Sequence, residues 1–192
     1  MSGRLAETSS RPRATSGRSS GTTYLARAAM FTALAVGSGF ALLLVPNIEL
    51  ITSIIFVSGV YLGPRGGMMV GIVAEFIFSA ANPLGSGLVF PPLLLGQIAG
   101  MGLVGLMGGL LRKSLLMGDL SLGKRLFLGA AGALLTLIYD SITTLAYPVA
   151  AGFEGRQTVA IWMAGIGFTV LHQVSNAIIF FTALPRVFSR ID

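Results

Sequence analysis

The sequence predicts an all-α integral membrane protein, a compact bundle of six transmembrane helices with both termini in the cytoplasm. Three observations lead there: an apolar composition, the length of the apolar runs, and the placement of the basic residues. Of 192 residues, 54% are hydrophobic and 10% charged, and the mean hydropathy is +0.83. A soluble domain carries charge on about a quarter of its residues, so the composition argues against a water-soluble fold.

A helix crossing the hydrocarbon core needs about 20 apolar residues, with every backbone group bonded inside the segment. The candidate runs are Tyr24 to Val45, Ile48 to Leu62, Gly66 to Ala81, Phe90 to Leu111, Leu126 to Val149 and Val159 to Leu184. The second and third are short. Merging them would bury Gly63-Pro64-Arg65-Gly66-Gly67, a helix-breaking cluster with a charge. Residues 1–23, rich in Ser, Thr and Gly with Arg4, Arg11, Arg13 and Arg18, read as a flexible cytoplasmic tail. Residues 24–188 form the membrane domain, and 189–192 a cytoplasmic end. The first apolar run is too long for the core of a secretory signal and is expected to be retained.

Cytoplasmic loops carry an excess of Lys and Arg. With six helices and the amino terminus inside, the cytoplasmic segments hold Arg4, Arg11, Arg13, Arg18, Arg27, Arg65, Arg112, Lys113, Lys124, Arg125, Arg186 and Arg190. Only Arg156, of 13 basic residues, falls outside. The net charge of +6 therefore reports membrane orientation rather than a nucleic-acid partner. With no cysteine, disulfides, thiolate metal sites and cysteine nucleophiles are excluded, and a lone His offers no metal cluster.

Two glycine patterns imitate nucleotide sites. Gly100-Met101-Gly102-Leu103-Val104-Gly105 has dinucleotide-binding spacing but no preceding strand, and its overlap with Gly96-x-x-x-Gly100 and Gly105-x-x-x-Gly109 points to close helix packing. Gly118 to Arg125 approaches a phosphate-binding loop, yet Arg125 stands where Ser or Thr must hold magnesium. ATP-driven work would thus need a separate protein.

An ionisable side chain at mid-membrane costs at least about 2.5–3.5 kcal/mol, so each one implies a cavity, a partner or a pathway. Glu49, Glu75, Gln97, Asp140 and His172 are such polar intrusions. On the fifth helix Thr136, Asp140, Thr143, Thr144 and Tyr147 share one face; on the sixth Thr169, His172, Gln173 and Asn176 do, and Gly165 continues that face. Facing stripes would form an outward-facing cavity between these two helices, reached also by Asn47, Glu49 and Gln97. Mutual satisfaction of Asp140 and His172 as a purely structural pair is the simpler alternative. Glu75, isolated on its helix, could bind substrate, stay protonated or contact a partner. Acidic residues outnumber basic ones in the outer half, which favours neutral or cationic solutes over strong anions.

The chain resembles the substrate-binding S components of energy-coupling-factor (ECF) transporters over roughly residues 24–188. The resemblance rests on Ala29-Met30-Phe31-Thr32-Ala33, an AxxxA pattern extended by Gly37 and Ala41, and on Pro46-Asn47-Ile48-Glu49-Leu50, Gly63-Pro64-Arg65-Gly66-Gly67, Glu75 to Ser79, Asn82-Pro83-Leu84-Gly85, Gln97 and the glycine-rich fourth helix. It implies a non-enzymatic subunit of the cell membrane that captures a vitamin or similar micronutrient from outside. A membrane T protein and two cytoplasmic ATPases would energise it, so ATP is used by those partners and no cofactor is expected here. Ala29, Ala33, Gly37 and Ala41 would be the docking face for the T protein. Candidate substrate-binding residues are Asn47, Glu49, Glu75, Asn82, Gln97, Asp140, Thr144, His172 and Asn176, with cobalamin-like or thiamine-related solutes ranked above biotin-like or folate-like anions. The rival readings are an intramembrane enzyme using Asp140 and His172 as an acid–base pair, and a stand-alone carrier.

Overall fold

A computed structural model describes residues 16–117 and 121–190. These residues form seven α-helices and one 3-10 turn, with no strand among them: α1 Ser16–Ala41, α2 Ile51–Leu62, α3 Pro64–Ala81, the 3-10 turn Gly87–Val89, α4 Pro91–Leu116, α5 Leu122–Ala150, α6 Gly155–Ala164 and α7 Ile166–Phe188. Four segments are long and apolar enough to cross a membrane, Gly21–Ala41, α4, α5 and α7. Many of their large apolar side chains are exposed on the bundle surface, Met30, Leu95, Leu134 and Phe168 among them. That is the distribution expected of a multi-pass protein whose solvent is lipid.

The two short runs are separate helices, as the breaker cluster requires. Gly63 turns the chain at φ 87°, a conformation that favours glycine, and Pro64 opens α3 at a position where its missing N–H costs nothing. α2 has only 12 residues, or about 18 Å at 1.5 Å per residue. It is also the most buried helix, with Ile55, Phe56, Ser58 and Val60 inaccessible. It fills the middle of the bundle, and Phe56 packs on Phe180 of α7 with ring centroids 5.1 Å apart.

Glycines bring α2, α3 and α4 together. A Cβ on Gly59 would strike the Gly105 carbonyl; one on Gly67 would strike both Gly59 and Gly105; one on Gly71 would strike the Met101 carbonyl; one on Gly109 would strike Pro64. The dinucleotide-like glycines thus lie inside a membrane-type packing seam. Gly118 to Leu120 of the second imitation lie outside the described residues, while Gly123 to Arg125 already belong to α5.

Three expectations are corrected. Helix α1 begins at Ser16, so residues 16–23 are helical rather than a flexible tail, and it ends at Ala41 instead of Val45. The expected sixth helix, Val159 to Leu184, is two helices. α6 starts earlier, at Gly155, under a capping box in which Glu154 and Gln157 bond each other's backbone, and it stops at Gly165, where α7 begins. Glycine is a poor helix former, and Gly165 and Gly167 together weaken the run there. The 1–15 portion of the tail and the last two residues of the 189–192 end lie outside the described residues.

The basic helix ends gather. Gly109 beside Pro64 joins the end of α4 to the start of α3, and the Arg27 guanidinium sits over the Tyr61 ring at 5.3 Å. The opposite end of α2 begins at Ile51, directly after the polar loop that closes the site.

Candidate functional site

The site starts with a loop. After α1 the chain turns through Val45-Pro46-Asn47, and Asn47 takes φ 56°, a left-handed conformation that Asn tolerates better than most residues. This turn sets Glu49 just ahead of α2, where its Oε2 accepts a hydrogen bond from the Thr52 backbone N–H at 2.8 Å. One end of that carboxylate thereby satisfies a free donor of the first helical turn. The other oxygen, Oε1, accepts from Asn176 Nδ2 at 2.9 Å and lies 3.5 Å from His172 Nε2. At that distance the His172 ring nitrogen makes no hydrogen bond.

Helix α7 holds the loop through one face. His172, Ser175 and Asn176 stand at spacings of three and four. Ser175 Oγ donates to the Asn47 carbonyl at 2.7 Å, and His172 Nδ1 bonds Asp140 Oδ1 of α5 at 2.9 Å. Asn176 is wholly buried and His172 is 8% exposed. A run of contacts therefore crosses the bundle from Asp140 through His172 to Glu49 and Asn176.

A second polar arm comes from α3. Glu75 is 1% exposed, and its Oε1 accepts from Ser79 Oγ at 2.9 Å and from Tyr139 Oη at 3.1 Å. The Tyr139 ring stands edge-on to the His172 ring with centroids 6.5 Å apart, which brings the two arms together. Between them is a cavity of about 180 Å³ lined by Asn47, Glu49, Glu75, Tyr139 and His172, with Leu42, Leu43, Phe78 and Met101 as apolar walls.

Of the expected residues, Asn47, Glu49, Glu75 and His172 line this cavity, and Asp140 and Asn176 stand behind it as partners of His172 and Glu49. Gln97 is not part of the lining but its side chain reaches Tyr139 of the cavity wall, while its buried Oε1, close to Gly87 of the 3-10 turn, lacks a hydrogen-bond partner. Two further candidates lie outside the lining. Asn82 Oδ1 accepts from the Leu84 backbone N–H at 2.9 Å, a local turn after α3 outside the cavity lining. Thr144 approaches Gly165 at the α6–α7 break and is also outside the lining. The cavity itself is not a slot between the fifth and sixth runs. It lies under the Leu42–Glu49 loop, with walls from α2, α3, α4, α5 and α7.

Tyr139 was missed because it lies off the Asp140 stripe, one residue earlier, and turns toward Glu75. Its spacing of three from Thr136 was the available signal. Ser79, four residues after Glu75, was a legible partner for an acid that looked isolated.

The small residues Ala29, Ala33, Gly37 and Ala41 are exposed along α1, and a Cβ on Gly37 would meet nothing within 4 Å. This face borders a shallow groove of about 690 Å³ between α1 and the Met69, Val73 and Ile77 side of α3. Among the described residues no group of three or more His, Cys, Asp or Glu side chains could hold a metal ion. No family model, curated protein or solved structure matches the chain.

Proposed function

We propose that this chain is the membrane-embedded solute-binding subunit of an uptake transporter of the energy-coupling-factor type. In this reading it crosses the cell membrane six times with both termini in the cytoplasm. It takes a vitamin or similar micronutrient from outside and delivers it with a membrane T protein and two ATPases. The observation that carries the reading is the cavity of about 180 Å³, in which Glu49, Glu75 and His172 converge from three separate parts of the chain beneath a loop tethered to α7. Burying ionisable groups this deeply in a lipid-solvated bundle is costly, and a binding site gives that cost a purpose.

Two further features support it. The basic ends of α3, α4, α5 and α7 and the cavity belong to opposite ends of the short central helix, which suits capture from the outer side under the positive-inside rule. The six-span count takes α2 and its preceding loop as one crossing. The unpartnered small-residue face of α1 suits close, sliding contact with another membrane helix.

The test separates binding from coupling. Ala33→Trp, on the exposed α1 face, should abolish solute uptake by cells and co-purification of a T protein with its ATPases, while solute binding by the purified chain is retained. Uptake that is unchanged in Ala33→Trp cells, or that needs no ATPase partner, would refute the transporter assignment.

A further inference from the structure

If the cavity binds a solute, its chemistry also specifies that solute's charge. Glu75 is 1% exposed and lines the cavity, yet both of its protein donors, Ser79 and Tyr139, go to Oε1. Oε2 accepts no hydrogen bond from any described residue. Nearby, Asp140 Oδ2, Asn176 Oδ1 and His172 Nε2 are buried without a hydrogen-bond partner. The three carboxylate and amide oxygens are acceptors only, and the one ring nitrogen, His172 Nε2, already stands 3.5 Å from Glu49 Oε1, so acceptors here outnumber donors.

The charge count has the same sign. Glu49, Glu75 and Asp140 are three acids; His172, the one basic side chain among them, contributes at most one positive charge, and the described lining residues include no Lys or Arg. A buried carboxylate without a compensating partner is costly, and removing one member of a buried pair is strongly destabilising. An anionic solute would add to the repulsion, and a neutral one would leave it in place. The apolar walls complete the description: Phe78 and Tyr139 contribute aromatic rings, to which cations are attracted, and Met101 adds a polarisable sulfur.

We infer that the cavity receives the cationic head of a small organic solute, a protonated amine or an aromatic cation, with Glu75 Oε2 as its counter-charge. This rests on the solute-binding reading above and adds the chemical class. The size fits: about 180 Å³ is slightly more than the roughly 150 Å³ engineered cavity that accepts benzene, so a single ring with a charged substituent fills it.

Benzylamine, benzyl alcohol and benzoate have nearly the same shape and differ in charge. Binding of each to the full-length chain in lipid nanodiscs is measured by calorimetry, and any co-purifying small molecule is identified by mass spectrometry. Benzylamine should bind at least about ten-fold more tightly than the other two. Glu75→Gln, nearly isosteric, should reduce that preference to less than about three-fold. The wild-type comparison stands even if the variant fails to fold. Equal or reversed preference, or a resident solute that is neutral or anionic, overturns the cationic assignment and leaves solute binding intact. If none of the three binds and nothing co-purifies, solute binding fails along with it.

Discussion

Replacing Gly105 with alanine should destabilise the bundle strongly, as should the same change at Gly108 or Gly109, where a Cβ also meets backbone. At Gly105 the new Cβ would be built into the Gly67 carbonyl of α3, with the Met68 backbone nitrogen 2.9 Å away, whereas ordinary contacts begin near 3.4 Å. The obstacles are main-chain atoms, which cannot rotate aside, so α3 and α4 must separate by about 1 Å. A gap of 0.5–1 Å forfeits roughly a quarter to a half of each van der Waals well it opens, and in lipid such packing is the main force holding helices together. Overpacking typically costs about 1–3 kcal/mol. With backbone on both sides of the seam the upper end applies, about 3 kcal/mol, or a fall in unfolding midpoint of about 6–12 °C for a chain of this length. The control is Gly37→Ala, where a methyl meets nothing within 4 Å. It should change the midpoint little and slightly upward, because alanine is the better helix former. The assay is thermal unfolding by circular dichroism in one detergent. If Gly105→Ala unfolds with the wild type, or Gly37→Ala loses as much as Gly105→Ala, the glycine-seam account is wrong.

Other substitutions probe the site's supports. Glu49→Ala removes the Thr52 N–H acceptor, the Asn176 partner and the His172 contact together, and should cost about 2–3 kcal/mol of stability. Tyr139→Phe keeps the ring but withdraws a donor from Glu75; a loss of about 1–2 kcal/mol is expected, read as a lower unfolding midpoint. Ser175→Ala frees the Asn47 carbonyl from α7, and should speed hydrogen exchange in the 45–50 loop without a comparable change in α4. Ser141→Ala takes away the acceptor 3.3 Å from Trp162 Nε1, the only tryptophan, so its emission should shift while the midpoint moves by less than about 1.5 kcal/mol equivalent.

The parts of the fold legible in the sequence are those set by local chemistry. Gly63-Pro64 ended one helix and began another because neither residue could continue α2. The spacings of Asp140 and His172 on their own helices implied facing side chains, which lie 2.9 Å apart. What could not be read depends on how distant segments meet. Glu75 looks isolated along α3, and only the fold brings Tyr139 to it from 64 residues away. Asn82 has the composition of a site residue, but a bond two residues ahead uses it locally. The break at Gly165 escaped because the apolar run continues through it, and hydropathy does not register an interruption of one residue. The polar stripes suggested a slot between two helices; the loop carrying Asn47 and Glu49 folds over the bundle end and moves the cavity beneath itself.

The central claim is that the cavity under the Asn47–Glu49 loop holds a solute, and native mass spectrometry of the chain released from lipid nanodiscs tests it most directly. Wild-type protein should carry a single small-molecule adduct at one-to-one ratio. Asp140→Asn and His172→Ala, which loosen the contacts on the cavity wall, should each lose most of it while remaining folded. A folded wild type that never carries an adduct, even after incubation with cell extract, would contradict the claim; so would an adduct equally abundant in both variants.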